Sequence, residues 1–238
     1  MRPLGSRPRG RPRAEPSEVQ RRRILDAARA GFAEVGYDAA TVADIAVRAR
    51  VARPVVYETV GDKAALLAAV ADELAAELVS AIDQRFGAGS AAPERTLVDL
   101  VHEDVAWFMD RVRSDPALVA LFRTAGRFGR RANAPADRAR RRIEDRLTEL
   151  HHARARALGI EAGEGARLLA VVLLALMEAA AFRAADEPAW PAAEAANVVA
   201  EFVTGGYLRV TGEGRGALQA FARRAGTGRG GGSRAGEG

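Results

Sequence analysis

Thr41-Val-Ala-Asp-Ile-Ala-Val-Arg-Ala-Arg50-Val-Ala-Arg53-Pro-Val-Val-Tyr-Glu-Thr-Val60 divides into two short helical segments around a three-residue turn. Thr41 with Asp44 three residues on is a capping-type start. Val42, Ile45, Ala46 and Ala49 then recur at helical spacing and form an inner face. Arg50-Val51-Ala52 is the turn. The second helix runs from about Arg53 to Val60, with Pro54 in its first turn, where a missing N–H leaves no intrahelical bond unmade. Helix, tight turn, helix is the arrangement that places a second helix in the DNA major groove. On that helix, Arg53 is long enough to reach a guanine edge or a phosphate. Glu58 either accepts from a cytosine amino group or holds an arginine, and Tyr57 offers its hydroxyl to a phosphate. Thr41, and Lys63 at the start of the next helix, are further phosphate candidates.

Outward from this stretch every segment reads as helix, with no sustained strand-type alternation, so the expected fold class is all-α. Helix 1 starts at Ser17, where Ser-Glu-Val-Gln20 fits a capping box, and carries Ile24, Leu25, Ala28, Phe32 and Val35 on one face until Gly36 ends it. Helix 4 opens at Asp62 and runs to about Phe86, with Leu66, Leu67, Val70, Leu74, Leu78 and Ile82 inward. Five more helices are expected over about Pro93–Val112, Pro116–Arg127, Pro135–Leu158, Gly163–Ala184 and Pro191–Val210, making nine. The domain plan is a basic arm at 1–16, a DNA-binding head at 17–61, a helical ligand-binding and dimerisation body at 62–211 with helix 4 as connector, and a disordered Gly/Arg-rich tail at 212–238.

Charge follows the same partition. The chain carries 36 Lys+Arg against 31 Asp+Glu, for a net charge of +5. Residues 1–14 supply +5 and residues 212–238 supply +3, so the intervening body is −3. The arm is too polar to bury a core. Its Arg7-Pro-Arg9-Gly-Arg11-Pro-Arg13 segment resembles an AT-hook, in which an extended Gly-Arg-Pro core lies in a narrow A·T minor groove and arginines meet its negative potential. The plainer reading is a solvated basic tail touching phosphates. The absence of cysteine excludes a disulfide framework and thiolate metal sites. The charge-poor run Leu168–Phe182 is too short for a bilayer span, and the Arg/Pro-rich start lacks a signal-peptide core, so a cytoplasmic protein with no membrane partner is expected.

Arg22-Arg23-Ile-Leu-Asp-Ala-Ala28, Gly31-Phe32-Ala-Glu-Val-Gly-Tyr37, Thr41-Val-Ala-Asp-Ile-Ala46, and Val55-Val-Tyr57 through Gly61-Asp-Lys63-Ala-Ala-Leu-Leu67 together strongly resemble the N-terminal domain of the TetR family of transcriptional regulators. The resemblance spans about residues 20–75. It implies a three-helix head joined by helix 4 to a larger helical domain, in a homodimeric repressor that leaves a palindromic operator when a small molecule binds. It also implies that Arg53, Pro54, Val55 and Glu58 face the groove while Thr41, Tyr57 and Lys63 face phosphates. Three positions depart from the pattern. Arg50 stands where the family usually has glycine, Ala52 where it often has a Ser or Thr cap, and Val60 where it usually has an aromatic. A left-handed Arg50 costs roughly 1–2 kcal/mol, so either the turn differs or the arginine compensates by contacting DNA. Ala52 forgoes roughly 1 kcal/mol of capping.

The body carries no family motif. Trp107, Phe108, Phe122, Phe128, Met177, Phe182 and Trp190 supply its aromatic and soft apolar surface, which either lines a ligand cavity or packs a core. Glu178 sits in an apolar run and must be paired or exposed if charged. It anchors a cationic or hydroxylated ligand, pairs with Arg123 or Arg183, or lies at a dimer seam. His102, His151 and His152 lack the spacing of a metal site, and no metal or cofactor is expected. With no phosphate-binding loop and no nucleophile–base pair, an enzyme is not expected. Helices 8 and 9, through Leu168, Leu169, Val172 and Leu176 and through Val198, Val199, Phe202, Val203 and Gly205-Gly206, are the expected homodimer surface. The expected partners are therefore double-stranded DNA, a second copy and a small-molecule effector. The alternative is an architectural DNA binder dominated by the arm.

Overall fold

The computed structural model describes residues 17–86, 97–127, 135–157, 159, 163–187, 189, 191–212 and 215–229. Among the described residues there are ten helices and no strands: α1 (Ser17–Ala39), α2 (Val42–Arg48), α3 (Arg53–Thr59), α4 (Lys63–Phe86), α5 (Leu97–Ser114), α6 (Pro116–Arg127), α7 (Pro135–Ala157), α8 (Glu164–Asp186), α9 (Ala192–Thr211) and α10 (Arg215–Arg229). The all-α class stands. The start expected for helix 5 at Pro93 lies outside the described residues.

The predicted inner stripes form one continuous core. Ile24, Leu25, Ala28 and Phe32 of α1 meet Val42, Ile45 and Ala46 of α2, Val56 of α3, and Leu66, Leu67 and Val70 of α4. The α4 stripe continues through Leu74, Leu78 and Ile82 into the body, where α4 packs on α7. A single helix thus carries the core from head into body. Val35, expected on the inner face of α1, is instead 58% exposed. The helix is interrupted at Gly36 (φ 77°, ψ 167°), so the residue before it no longer follows the stripe. At the other end of the head, Gly61 (φ 122°) has no room for a side chain: a Cβ there would lie 2.8 Å from the Ala65 Cβ. The break before α4 therefore requires glycine.

Two expectations about the second half are corrected. The segment 212–238, read as a disordered tail, contains α10, which packs on α8 and α9. The glycines in this stretch obscured a run of good helix formers from Ala217 to Arg224. The apolar part of α8 also extends beyond Leu168–Phe182: Glu164–Arg183, with a mean hydropathy of 1.9, is long and apolar enough to cross a membrane. Here one face of that helix is turned to protein, while Leu168 and Val172 remain exposed. Ala166, Ala170, Leu174 and Ala181 are buried, and α8 packs against α5, α7, α9 and α10.

Candidate DNA-binding face and effector cavities

The turn between α2 and α3 is closed by backbone bonds. The N–H of Arg50 bonds the Val47 carbonyl at 3.1 Å, and the N–H of Val51 bonds the Ala46 carbonyl at 3.0 Å. This is the paired bonding of a Schellman motif, whose geometry places the first residue after the C-cap in the left-handed region. Arg50 occupies that position with φ 55° and is the one positive-φ non-glycine residue among the described residues. The turn therefore keeps its left-handed geometry in spite of the arginine. Val51 packs back on the head core, and the Arg50 side chain is exposed.

α3 is held by Val56, which is fully buried, and presents Arg53, Pro54, Tyr57 and Glu58 outward. Arg53 Nη2 donates to the Tyr57 hydroxyl at 3.1 Å, and its guanidinium lies 5.6 Å from the ring centroid. The two side chains are thereby ordered together before any partner arrives. Val55 is half-buried against the head core, so only part of it remains for a groove. Ala52 makes no side-chain cap, as expected from its methyl group. Thr41 caps α2: its hydroxyl accepts from the Asp44 N–H at 3.1 Å and donates to Asp44 Oδ2 at 2.6 Å. Its hydroxyl proton is thus already engaged within the helix start. Lys63 donates to the Asp38 carbonyl at 3.0 Å and lies 4.6 Å from the Tyr37 ring centroid, at the junction of α1 and α4. Burial, reinforced by Asp62 and Asp38, pushes the Tyr37 hydroxyl pKa up. Arg9, Arg11 and Arg13 lie outside the described residues. Sequence reasoning passed over Val47, which is 79% exposed beside the turn. Its signal was a β-branched residue off the inner stripe of α2.

Beyond the head, the predicted ligand residues divide between two cavities. Trp107, Phe108 and Met177 line a small apolar cavity of about 50 Å³, together with Ile82 and Phe86 of α4 and Leu147, His151 and Arg154 of α7. Phe122, Arg123, Glu178 and Phe182 line a larger cleft of about 970 Å³ between the end of α1 and α6–α8. The Phe108 and Phe122 rings, 6.4 Å apart, stand where the two approach. Phe128 and Trp190 lie outside the described residues. Glu178 pairs with neither Arg123 nor Arg183: both its oxygens accept from Arg140, at 3.1 and 3.0 Å. Arg123 pairs with Asp186 and Arg183 with Glu187.

Of the polar groups of the small cavity, sequence reasoning named His151, as lacking metal-site spacing, and did not single out Asp104 or Arg154. Asp104 is ion-paired with Arg154, and burial pushes the Asp104 carboxyl pKa up against that attraction. His151 is buried, and burial, aided by the positive charges of Arg154 and His152, lowers its pKa to about 3. It is therefore neutral at physiological pH. Head and body also meet through an ionic joint. Arg29 of α1 donates to both oxygens of Glu77 on α4, at 2.8 and 2.9 Å, and to Asp115 Oδ2 at 2.7 Å. Asp115 in turn accepts the Ala117 N–H at 3.1 Å, at the start of α6.

A buried anchor on α3, an exposed face of arginine, tyrosine and glutamate, and a closed turn before it define a helix-turn-helix DNA-binding protein. Residues 24–70 match the family described as "Bacterial regulatory proteins, tetR family", which supports a TetR-family DNA-binding transcription regulator. No curated protein matches the chain. Solved structures share its fold. A tetR-family transcriptional regulator from Streptomyces coelicolor has a TM-score of 0.65 at 19% identity, over 87% of this chain and 88% of that one. FadR from Bacillus subtilis, in complex with stearoyl-CoA, has a TM-score of 0.61 at 17% identity, over 78% and 98%. SmeT, the repressor of the Stenotrophomonas maltophilia multidrug efflux pump SmeDEF, has a TM-score of 0.58 at 23% identity, over 81% and 92%.

Proposed function

We propose that the chain is a homodimeric repressor released from a roughly palindromic operator by a small apolar effector. The observation that carries this reading is the reach of α4. Its first turns pack under the recognition head through Leu66, Leu67 and Val70, and its last turns, through Ile82 and Phe86, line the apolar cavity. An effector that fills and widens that cavity acts directly on the helix that sets the placement of the head. It shifts the population only by the difference in its affinity for the two placements. In this reading Arg53, Pro54, Glu58 and part of Val55 meet base edges. Arg50, Tyr57, Lys63 and the Thr41 helix start meet phosphates, and Arg9, Arg11 and Arg13 follow the adjacent minor groove. An apolar effector is supported by Trp107, Phe108 and Met177, and FadR, of the same fold, holds an acyl-CoA. Repression is supported by SmeT alone among these relatives.

Dimerisation is supported by a stripe of apolar side chains on α8 and α9. Leu168, Val172, Val198 and Phe202 are 39%, 53%, 70% and 72% exposed. Gly205 and Gly206 have open space around them, which permits close approach of a second copy. The expected second-copy contact excludes Val203, which is buried in its own protomer. Titrating a selected duplex with the full chain at concentrations well above the dissociation constant tests the reading. Two protomers per site, and release by a hydrophobic ligand that fails on Trp107→Ala, are expected. One protomer per site contradicts it. A parallel titration of a chain lacking residues 1–14 should keep the sequence preference with a shallower salt dependence; near-complete loss of binding favours the architectural alternative.

A further inference from the structure

The larger cleft has a chemistry of its own. At its inner wall Arg140 donates to Glu178 through Nε and Nη2, at 3.1 and 3.0 Å, and also to Glu144 through Nη1. Both carboxylates are buried, at 9% and 7% exposure. Two buried carboxylates thus share one guanidinium. With both ionised, the group carries an unbalanced negative charge in a place where such a charge is costly. Consistent with this, burial pushes the Glu178 carboxyl pKa up in spite of Arg140. The wall beside Glu178 is aromatic: Phe182 faces the cleft, with Phe122, 2% exposed, packed in the core behind it. Phe182 already accepts a cation, since the Arg123 guanidinium stands 5.3 Å from its ring centroid. Arg123 is tied to Asp186 at 2.6 Å, so it retains a partner when something else takes the ring. Asp137 adds a further acid at the rim.

We propose that this cleft between the head and the body is a binding site for an organic cation. Glu178 faces the charge, and Phe182 holds its apolar bulk. The missing positive charge of the Arg140 group is what such a ligand supplies, and an aromatic wall gains further from a cation over its face. The space, about 970 Å³, admits a cation with several rings. One wall is the segment of α1 from Phe32 to Asp38, so an occupant touches head and body at once. This site is separate from the apolar cavity beside α4 and does not depend on the effector reading given above.

The probe pair is tetraphenylphosphonium and tetraphenylborate, which match in size and shape and are opposite in charge. Calorimetric titration of the full chain with each should show the cation binding about tenfold more tightly or better. Glu178→Gln should weaken the phosphonium by about tenfold and leave the borate unchanged or improved. Phe182→Leu should weaken the phosphonium severalfold, and it carries the test if Glu178→Gln does not fold. Trp107→Ala, in the other cavity, should leave the phosphonium affinity unaltered. Equal affinities for the two probes, indifference to both cleft substitutions, or loss of phosphonium binding in Trp107→Ala would each overturn the proposal.

Discussion

Arg50→Gly separates two consequences of the same residue. The arginine holds φ 55° in a turn whose backbone bonds fix that conformation. A residue with a Cβ loses roughly 1–2 kcal/mol there. Glycine removes that strain and adds back roughly 0.5–1 kcal/mol of unfolded-chain entropy. The expected balance is a gain of about 0.5–1 kcal/mol, read as a rise of about 1–4 °C in Tm for a chain of this size. On DNA the same change should be a loss. The Arg50 side chain is exposed just before α3, and in the proposed reading it meets a phosphate. Removing one phosphate contact should weaken binding evenly across sequences and reduce the slope of log K against log salt by about 1. Arg50→Asn is the companion variant, because asparagine tolerates the left-handed region and lacks the charge. Calorimetric melting and anisotropy titrations at several salt concentrations read both effects. A lower Tm for Arg50→Gly would refute the strain argument. Unchanged affinity and salt slope in both variants would refute the DNA contact.

Three further outcomes are expected. His151 has a folded pKa of about 3 against an ordinary 6.5, so the unfolded chain binds the extra proton between those values and stability falls as pH falls below 6.5. From pH 6.5 to pH 5 that loss is about 2 kcal/mol, and urea melts of His151→Gln should show a correspondingly smaller drop; an unchanged drop would mean that another group carries the acid sensitivity. Phe202→Asp places a charge in the exposed apolar stripe of α9 and should give monomers in sedimentation velocity with unchanged helical content; a dimer of wild-type strength would move the interface elsewhere. Asp115→Asn leaves the α6 cap acceptor Oδ1 in place and weakens the ionic joint with Arg29, so effector release of DNA should require several-fold more ligand while DNA affinity changes less; equal shifts in both would reduce the joint to a stability element.

What the sequence made legible was what repeats locally. The helix starts at Thr41 and Asp62, the stripe of α4 and the three-residue turn follow from spacing and capping, which act over a few residues. Arg50 is a case in which a local rule, broken in composition, was kept in conformation. The rest depended on contacts between distant segments. Glu178 was recognisable as a charge in need of a partner, and Arg140 on α7 was not recognisable as that partner, because the two are 38 residues apart. The same holds for Asp104 and Arg154, and for Arg29 with Asp115, where helix packing alone brings the pairs together. The candidate ligand residues, grouped together in the sequence, divide between two cavities in the structure: Met177 and Glu178 are consecutive on α8 and face different ones.

The central claim is that two copies of this head read DNA together. Selection of bound duplexes from a random pool by the full chain, at about physiological salt, tests it directly. Two related half-sites in inverted orientation, with centres one helical turn or a multiple apart, are the predicted result. Recovery of A·T-rich tracts without symmetry would contradict it and would place binding in the arginine arm.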